Sequence, residues 1–295
     1  MSQVKLVTDD QLPGLYRASN KASTDAQKAY FFGLLSYLFL LVVAATVSYI
    51  SSDSREGTLL SAILFILTLG ILIGLRVKRP DETWYNGRAV AESVKTRSWR
   101  WMMRAEPYED GVEKPDVFRS FICDLKEILA ENRNLAAALS TNAYLDLPIT
   151  EVMKEVRAKD EAERLSIYLS DRVQDQADWY GSKCAFNRKR ATFWFWGSVA
   201  FHLLAFFFLM LRVQDPSLNL PVEVVAVAAS GVLTWLQAKK HNELASSYSL
   251  TAHEIMLIKG EAMSNQAENK LSDFVLSAET AFSREHTQWV ARKSE

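Results

Sequence analysis

Residues 30–50 read YFFGLLSYLFLLVVAATVSYI, a stretch with no charged side chain. An α-helix rises about 1.5 Å per residue, so this stretch is long enough to cross a hydrocarbon core of about 30 Å. Three further stretches have similar length and apolar character, with only His202 and Glu223 ionisable: residues 58–75, 191–211 and 221–238. The chain average of 49% hydrophobic residues hides this concentration in four blocks. The sequence therefore predicts an integral membrane protein with four spans.

Basic residues cluster at one end of each predicted span. They are Lys21, Lys28, Arg76, Lys78, Arg79, Lys183, Arg188, Lys189, Arg190, Lys239 and Lys240. The short loops between paired spans, residues 51–57 and 212–220, each carry one arginine beside acidic residues. Cytoplasmic ends of spans carry the excess of Lys and Arg. We therefore expect a multi-pass protein of the inner cell membrane, with both termini cytoplasmic. The charged segment that precedes Tyr30 is too polar for a signal peptide.

The two pairs of spans are copies of one unit. A single constant shift in numbering places Gly70 on Gly231, Lys78 on Lys239 and Arg79 on Lys240. The predicted organisation is a first unit over residues 1–110, a cytosolic helical connector over 111–159 and a second unit over 160–295. Because both copies share one orientation, their pseudo-symmetry axis runs along the membrane normal. A parallel repeat suits a ring of hairpins better than an alternating-access transporter.

The segments outside the spans carry helix signals. Asp116 and Thr150 are N-cap residues for two helices, the first of which we expect to run to about Ser140. A third helix, from Asp160 to Arg190, is predicted to enter the membrane unbroken. Two further helices are predicted at residues 245–260 and 271–289. Linkers are predicted at residues 106–114 and 141–148, from their Asn, Asp, Gly and Pro content. The expected fold is an all-α integral membrane protein, with two parallel-orientation two-helix transmembrane hairpins and long cytosolic helical extensions.

No catalytic or nucleotide-binding motif is present in the sequence. His253 and Glu254 begin an H-E pattern, but the second histidine of a zinc-binding H-E-x-x-H is absent. Cys123 and Cys184 are too few and too far apart for a disulfide framework or a zinc site. We therefore expect no enzyme activity, no cofactor, no bound metal and no nucleic-acid partner.

Polar side chains within the spans are the candidate functional residues. The pore-lining candidates are Ser61, Thr68, Ser198, His202, Glu223, Ser230 and Thr234. With one residue of slip in the repeat, Ser61 and Thr68 match Glu223 and Ser230. Such stripes can line a wet pore, where hydroxyl groups replace part of an ion's hydration shell. The alternative is helix packing, which we favour for any single Ser or Thr.

The two ionisable residues have alternatives of their own. Glu223 lies in the first turn of its span, where it can sit among headgroups or, in an oligomer, concentrate cations at a pore mouth. His202 lies deeper and is either a neutral residue hydrogen-bonded between helices or part of a gate. Three glycines are predicted to serve helix packing, and two tryptophans to anchor the membrane interface. They are Gly70, Gly74, Gly231, Trp194 and Trp196.

Five segments resemble a known family. Residues 84–96 read WYNGRAVAESVKT and residues 99–107 read WRWMMRAEP. The others are LPGLYRA at 12–18, RVQDQADWY at 172–180 and SREHTQW at 283–289. Together they resemble the SLATT superfamily, and the likeness covers nearly the whole chain as two tandem units.

The resemblance implies a function as well as a fold. Members of this family are proposed to be two-helix membrane effectors of prokaryotic conflict systems. They are thought to form pores when a nucleotide second messenger or another sensor signals infection. The resemblance therefore implies a pore for antiphage defence, with a cytosolic sensor protein or a nucleotide second messenger as partner.

Three functional hypotheses follow. The first is an oligomeric membrane pore or ion channel gated through the cytosolic helices, which requires a homo-oligomer because four spans cannot enclose a roomy pore. The second is a non-conducting scaffold or receptor whose hairpins anchor it in the bilayer while its cytosolic helices dock a partner. A small-solute transporter is a weaker third idea, because the spans lack the proline breaks of many transporter sites.

Overall fold

The computed structural model describes residues 5–111, 116–139, 147–264 and 271–291, with side chains except those of 261–264 and 284–291. The described residues form α-helices, short 3₁₀-helices and one π-helix, without a β-strand. The α-helices are α1 (Gly14–Ile50), α2 (Arg55–Lys78), α3 (Pro80–Met102), α4 (Val117–Glu131), α5 (Glu151–Ala158), α6 (Glu161–Ile167), α7 (Asp175–Gln214), α8 (Val222–Lys239), α9 (His241–Ser264) and α10 (Leu271–Ala291). The four predicted spans lie on α1, α2, α7 and α8, except that α8 begins one residue later, at Val222, and these four helices belong to segments long and apolar enough to cross a membrane. The predicted all-α membrane fold is confirmed.

The chain divides into two compact units. The span unit comprises Gln27–Pro80 and Cys184–Ser246. The head unit comprises the described residues of Met1–Ala26, Asp81–Lys183 and Ser247–Glu295.

The span unit turns large apolar side chains outward. Phe32 is 74% exposed and Ile66 is 67% exposed, and many other aromatic and aliphatic residues of the spans resemble them. A soluble protein rarely exposes apolar patches of this extent, whereas a helix in lipid must. These faces are therefore the surfaces that contact hydrocarbon or another membrane helix.

Equivalent caps end the two hairpins. Arg79 closes α2 in the left-handed conformation, and its backbone N–H donates to the carbonyl of Leu75 at 3.1 Å. Lys240 closes α8 in the same way, with its N–H on the carbonyl of Leu236 at 3.1 Å. The shift that relates Arg79 to Lys240 also relates Leu75 to Leu236. The next helix begins directly after the cap in both copies, so the predicted repeat is confirmed.

The predicted caps of the head unit are present, but two helix boundaries differ. Asp116 accepts a hydrogen bond from the Phe118 N–H, and Thr150 from the Met153 N–H, as N-caps do. The first helix ends at Glu131 rather than near Ser140, because Asn132 leaves the helical conformation and bonds the Ile128 carbonyl with its side chain. A 3₁₀-helix over Arg133–Ala138 follows.

The helix after the fourth span also begins earlier than expected. It starts at His241 instead of residue 245, since the left-handed cap at Lys240 leads directly into it. Within the predicted linkers, residues 106–111 and 147–148 are outside helices. Residues 112–114 and 141–146 lie outside the described residues.

The third predicted helix contains a π-helical segment. The chain is helical without a break from Glu161 to Gln214, as predicted, but Tyr168–Gln174 has π geometry. A π-helix bonds residues five apart and places an extra residue in the turn. Tyr168 and Val173 are both fully buried although they are five residues apart. The π-helix thus places Tyr168 and Val173 on the same buried face, whereas an α-helix would point them in different directions.

The first repeat packs two head-unit helices at close range. A Cβ atom added to Gly87 of α3 would lie 3.0 Å from both the Ser19 carbonyl oxygen and the Ser23 backbone nitrogen of α1. Only glycine fits at this crossing. By contrast, a Cβ on Gly181 of α7 would meet nothing within 4 Å.

We expect Gly87→Ala to destabilise the protein by about 1–3 kcal/mol, because the methyl group must displace backbone atoms. Gly181→Ala is the matched control and should stabilise by about 0.5–1 kcal/mol, since alanine favours a helix interior. Thermal unfolding of the detergent-solubilised variants measures both effects. An unfolding temperature for Gly87→Ala at or above wild type would contradict the close crossing.

Candidate functional site

The polar residues of the first hairpin are used for packing. The side chains of Ser61 and Thr68 are buried on α2. Ser61 Oγ donates to the carbonyl oxygen of Ala44 on α1 at 3.2 Å. Thr68 Oγ1 donates to the carbonyl of Phe65 in its own helix at 2.7 Å. Both hydroxyl groups are satisfied within the hairpin, which is the packing alternative.

The polar residues of the second hairpin face outward instead. Glu223, Ser230, Thr234 and Gln237 are all exposed along α8, and we call these four residues the α8 stripe. Thr234 Oγ1 donates to the Ser230 carbonyl at 2.9 Å, and Glu223 lies 3.4 Å from Arg212. Spacings of seven, four and three residues keep the stripe on one helix face.

The proposed match between the two polar stripes is wrong. At the shift in numbering that the caps confirm, Ser61 corresponds to Val222 and Thr68 to Ala229. Both counterparts are buried on α8. Glu223 and Ser230 stand one position further on, and one residue turns a helix by about 100°. One slip therefore moves a side chain from the buried face of a hairpin to its exposed face.

Ser198 and His202 lie on α7, where the histidine is exposed. The Nδ1 nitrogen of His202 is 2.7 Å from the Ser198 carbonyl oxygen. A carbonyl can only accept, so Nδ1 carries the proton and donates within the helix. Within one chain, this nitrogen of His202 therefore bonds its own helix and does not link two helices, which was one of the two alternatives.

No other helix of the described residues comes close to the predicted packing glycines. A Cβ on Gly70, Gly74 or Gly231 would meet nothing within 4 Å. Close approach in the first hairpin occurs at Gly33, where a Cβ would lie 2.8 Å from a Leu75 methyl carbon. Packing of the three predicted glycines against another copy of the chain stays a prediction.

The two predicted tryptophan anchors differ in their surroundings. Trp196 is 62% exposed, as an interface anchor should be. Trp194 is half-buried, with its ring centroid 6.2 Å from that of Trp235 on α8. Trp194 therefore also packs the second hairpin.

A buried ion pair organises the head unit, and no sequence pattern indicated it. Arg172 of the π-helix donates from Nε and Nη2 to the two carboxylate oxygens of Glu279 on α10, each at 2.8 Å. Their side chains are 1% and 0% exposed. Tyr168 and Thr96 donate their hydroxyl groups to the same carboxylate at 3.0 and 2.9 Å. The guanidinium also lies over the ring of Phe282, 4.9 Å from its centroid.

The electrostatics of this pair follow from its burial. Burial alone would lower the pKa of Arg172, but the Glu279 carboxylate and its hydrogen bonds raise that pKa above the usual value. Burial, together with the Glu279 charge, raises the pKa of Tyr168 well above its usual value. Both groups therefore keep their protons through the physiological range.

The other side of the π-helix contacts a segment that begins at Lys5. Residues 5–12, which we call the N-terminal strap, lie along it. The N–H groups of Leu6 and Val7 donate to Asp171 Oδ2 at 2.8 and 3.1 Å. Lys5 pairs with Asp175. Adjacent residues Asp171 and Arg172 thus connect the π-helix to the strap and to α10.

Asp9 anchors the strap to α1 and α3. Its carboxylate accepts from Lys95 Nζ at 2.7 Å and from the Tyr16 hydroxyl at 2.6 Å. Burial opposes ionisation of Asp9, but the Lys95 charge and these hydrogen bonds outweigh it and lower its pKa.

A small cleft lies between the strap, α3 and the π-helix. Its volume is about 170 Å³, and its charged lining residues are Lys5, Asp9, Lys95, Asp171 and Asp175. Each of these charges already has a partner in the head unit. The cleft is also smaller than ordinary ligand pockets, which measure about 300–1,000 Å³. Its geometry therefore favours a structural role.

In a sequence, a buried Arg or Glu cannot be distinguished from one at the protein surface. Arg172 lies within a segment that carries the family resemblance, and this was the only signal that could have singled it out. Glu279 is 107 positions later on another helix. No local pattern connects the two residues.

Comparison with protein families agrees with this geometry. The model described as SMODS and SLOG-associating 2TM effector domain 3 matches residues 13–165. The chain belongs to the SLATT family. A second SLATT model, SMODS and SLOG-associating 2TM effector domain 1, matches residues 168–289. The suspected tandem of two SLATT units is thus confirmed, and the second match begins at the first residue of the π-helix. No match was found among curated proteins or among solved structures.

We expect Glu279→Gln to destabilise this SLATT protein by about 3–5 kcal/mol, because it leaves the buried Arg172 charge without a counter-ion. Glu223→Gln is the control for an exposed ion pair and should cost less than about 1 kcal/mol. Denaturant unfolding in detergent measures both changes. Equal effects of the two substitutions would show that the buried pair does not organise the head unit.

Proposed function

We propose that this tandem SLATT protein is an effector that forms an oligomeric membrane pore or ion channel. The observation that carries the proposal is the α8 stripe, four polar side chains exposed along one face of a span. Polar groups at membrane depth usually face water or protein rather than lipid. Four spans cannot surround a roomy pore, so several copies must bring their α8 helices together.

Within the proposed pore, α8 is the lining helix. Ser230, Thr234 and Gln237 would face the ion path, and Glu223 would stand near one mouth beside Arg212. The hydroxyl groups of α2 are already engaged in packing, so the first hairpin would form an outer layer. Gly70, which is exposed, and the half-buried Gly74 would then face a neighbouring copy.

The flanking charges support an orientation. Basic residues follow both hairpins, at Arg76–Arg79 and Lys239–Lys240. We propose that these ends and both termini face the cytoplasm of a prokaryotic cell, with the protein in the inner membrane. The Glu223 end of α8 would then lie outside.

The π-helix provides a route for gating. It belongs to a continuous helix from Glu161 to Gln214 that includes the third span. Loss of its extra residue would rotate the following part of α7 by about 100° relative to α6. Asp171 and Arg172 hold the π-helix through the strap and Glu279. A trigger that releases either contact would therefore turn a membrane helix.

The trigger is proposed from the family. These domains are described as associating with SMODS and SLOG domains. We propose a cytosolic sensor protein or a nucleotide second messenger as the activating partner, and antiphage defence as the role. No catalytic step is part of this proposal.

Reconstitution in liposomes tests the pore. We expect Ser230→Val combined with Thr234→Val to lower ion flux by roughly tenfold, because both hydroxyl groups would no longer hydrate ions. Ser61→Val is the control, since Ser61 packs the first hairpin and its substitution should alter stability more than ion flux. Absence of conductance under every activating condition would overturn the proposal.

The satisfied hydroxyl groups of α2 favour the alternative, a non-conducting scaffold that docks a cytosolic partner. In that case the Ser230→Val and Thr234→Val variant would keep its cellular activity while no protein in the series conducts. Pull-down of the partner by the intact chain would then replace flux as the functional measurement.

Asp171→Ala tests the gating route. This change removes the acceptor for the Leu6 and Val7 N–H groups, so we expect leak through the untriggered pore to rise about tenfold, equivalent to about 1.4 kcal/mol. Asp273→Ala, at an exposed aspartate of α10 in the same head unit, is the matched control. An unchanged leak in a folded Asp171→Ala protein would exclude the π-helix as the gate.

A further inference from the structure

Lys239 lies against aromatic rings of both hairpins and is half-buried. Its ammonium group lies 3.3 Å from the ring centroid of Phe31 on α1 and 4.8 Å from that of Trp235 on α8. The two rings are 5.8 Å apart in an edge-to-face arrangement. We call Lys239, Phe31 and Trp235 the Lys239 cage.

The cage neutralises none of the lysine's charge. Among the described residues, Lys239 has no carboxylate within ion-pair distance. Aromatic faces attract a cation but carry no net charge. The partly buried Lys95 of the head unit is different, because Asp9 lies 2.7 Å from its nitrogen. The half-buried Lys239 of the span unit therefore lacks a nearby carboxylate, whereas Lys95 of the head unit has one.

Neighbouring residues add positive charge. Arg188, Lys189 and Lys240 are exposed, and no ion pair joins any of them to a described carboxylate. Arg190 lies over the ring of Phe186, 5.4 Å from its centroid. The surroundings thus attract an anion rather than supply one.

The position in the span indicates which anion is available. Lys239 is the last residue of α8, and Trp235 is one turn earlier. Tryptophan rings favour the level of lipid headgroups, and lysines at the ends of spans extend toward the same level. The anion at that depth is the phosphate of a phospholipid.

We propose that the Lys239 cage binds the phosphate of an anionic phospholipid, with the headgroup beside Lys239 and the acyl chains along the exposed apolar faces of the span unit. The contact joins Phe31 of the first hairpin to α8 of the second. It is independent of conduction and applies equally to a pore and to a scaffold.

The internal repeat supplies a matched control. Lys78 is the counterpart of Lys239 in the first copy and is likewise the last residue of its span helix. Gly74 stands in the place of Trp235, and Thr192 in the place of Phe31. Lys78 is exposed and has the same charge at the same helix position without a cage.

Native mass spectrometry of the full chain in detergent tests the site, with phosphatidylglycerol and phosphatidylcholine as probes. We expect wild type to retain phosphatidylglycerol in preference to phosphatidylcholine. Lys239→Met should weaken phosphatidylglycerol binding about fivefold, the effect of one lysine near an anionic surface. Lys78→Met should change it less than twofold, and Lys239→Arg should keep most of it.

Several results would overturn the proposal. Equal losses in Lys78→Met and Lys239→Met would indicate diffuse attraction to charged lipid. Thermal protection by inorganic phosphate equal to that by phosphatidylglycerol would indicate a site for a free anion. If Lys239→Met is not monodisperse, Lys239→Arg decides: retained binding supports the cage, and lost binding contradicts it.

Discussion

The hydrocarbon core requires every backbone polar group of a span to be satisfied within the protein, and the rest of the architecture follows from this requirement. The four spans are therefore continuous helices. α2 and α8 each end in a left-handed cap one residue before the next helix begins. Non-glycine residues adopt this conformation at a cost of about 1–2 kcal/mol. Its presence at both Arg79 and Lys240 shows that the sharp junction between span and following helix is a property of the repeated unit.

The two SLATT copies share this frame but pack differently. In the first copy, Gly87 of α3 allows the backbone of α1 to approach at Ser19. The second copy has Tyr248 in the position of Gly87, and its ring packs against Trp179 and Tyr180 with centroids 5.4 and 5.6 Å away. The first copy thus has a small residue at this position and the second has a large ring, so the two copies are not interchangeable. A similar difference appears in the spans, where α2 buries Ser61 and Thr68 and α8 exposes Ser230 and Thr234.

The head unit and the span unit also differ in how they accommodate charge. The head unit can bury Arg172 because the Glu279 carboxylate pairs with its guanidinium, and the hydroxyl groups of Tyr168 and Thr96 donate to the same carboxylate. Such a pair contributes little net stability but penalises every arrangement that separates its members. It therefore specifies the position of the π-helix more than it strengthens the fold. In the span unit Lys239 has aromatic rings in place of a carboxylate, and no described residue neutralises its charge.

Four spans, two hairpins and their repetition were determined by the sequence itself. The cost of a charge in hydrocarbon applies to each residue separately, so it leaves a pattern that can be read along residues 30–50 or 191–211. The caps at Asp116 and Thr150 were equally local. Only the tertiary structure decided that Ser61 is buried and Ser230 exposed, since a single position around a helix reverses the two environments. It alone paired Arg172 with Glu279 and placed Phe31 over Lys239, because side chains so distant in sequence meet only when the packing of whole helices brings them together.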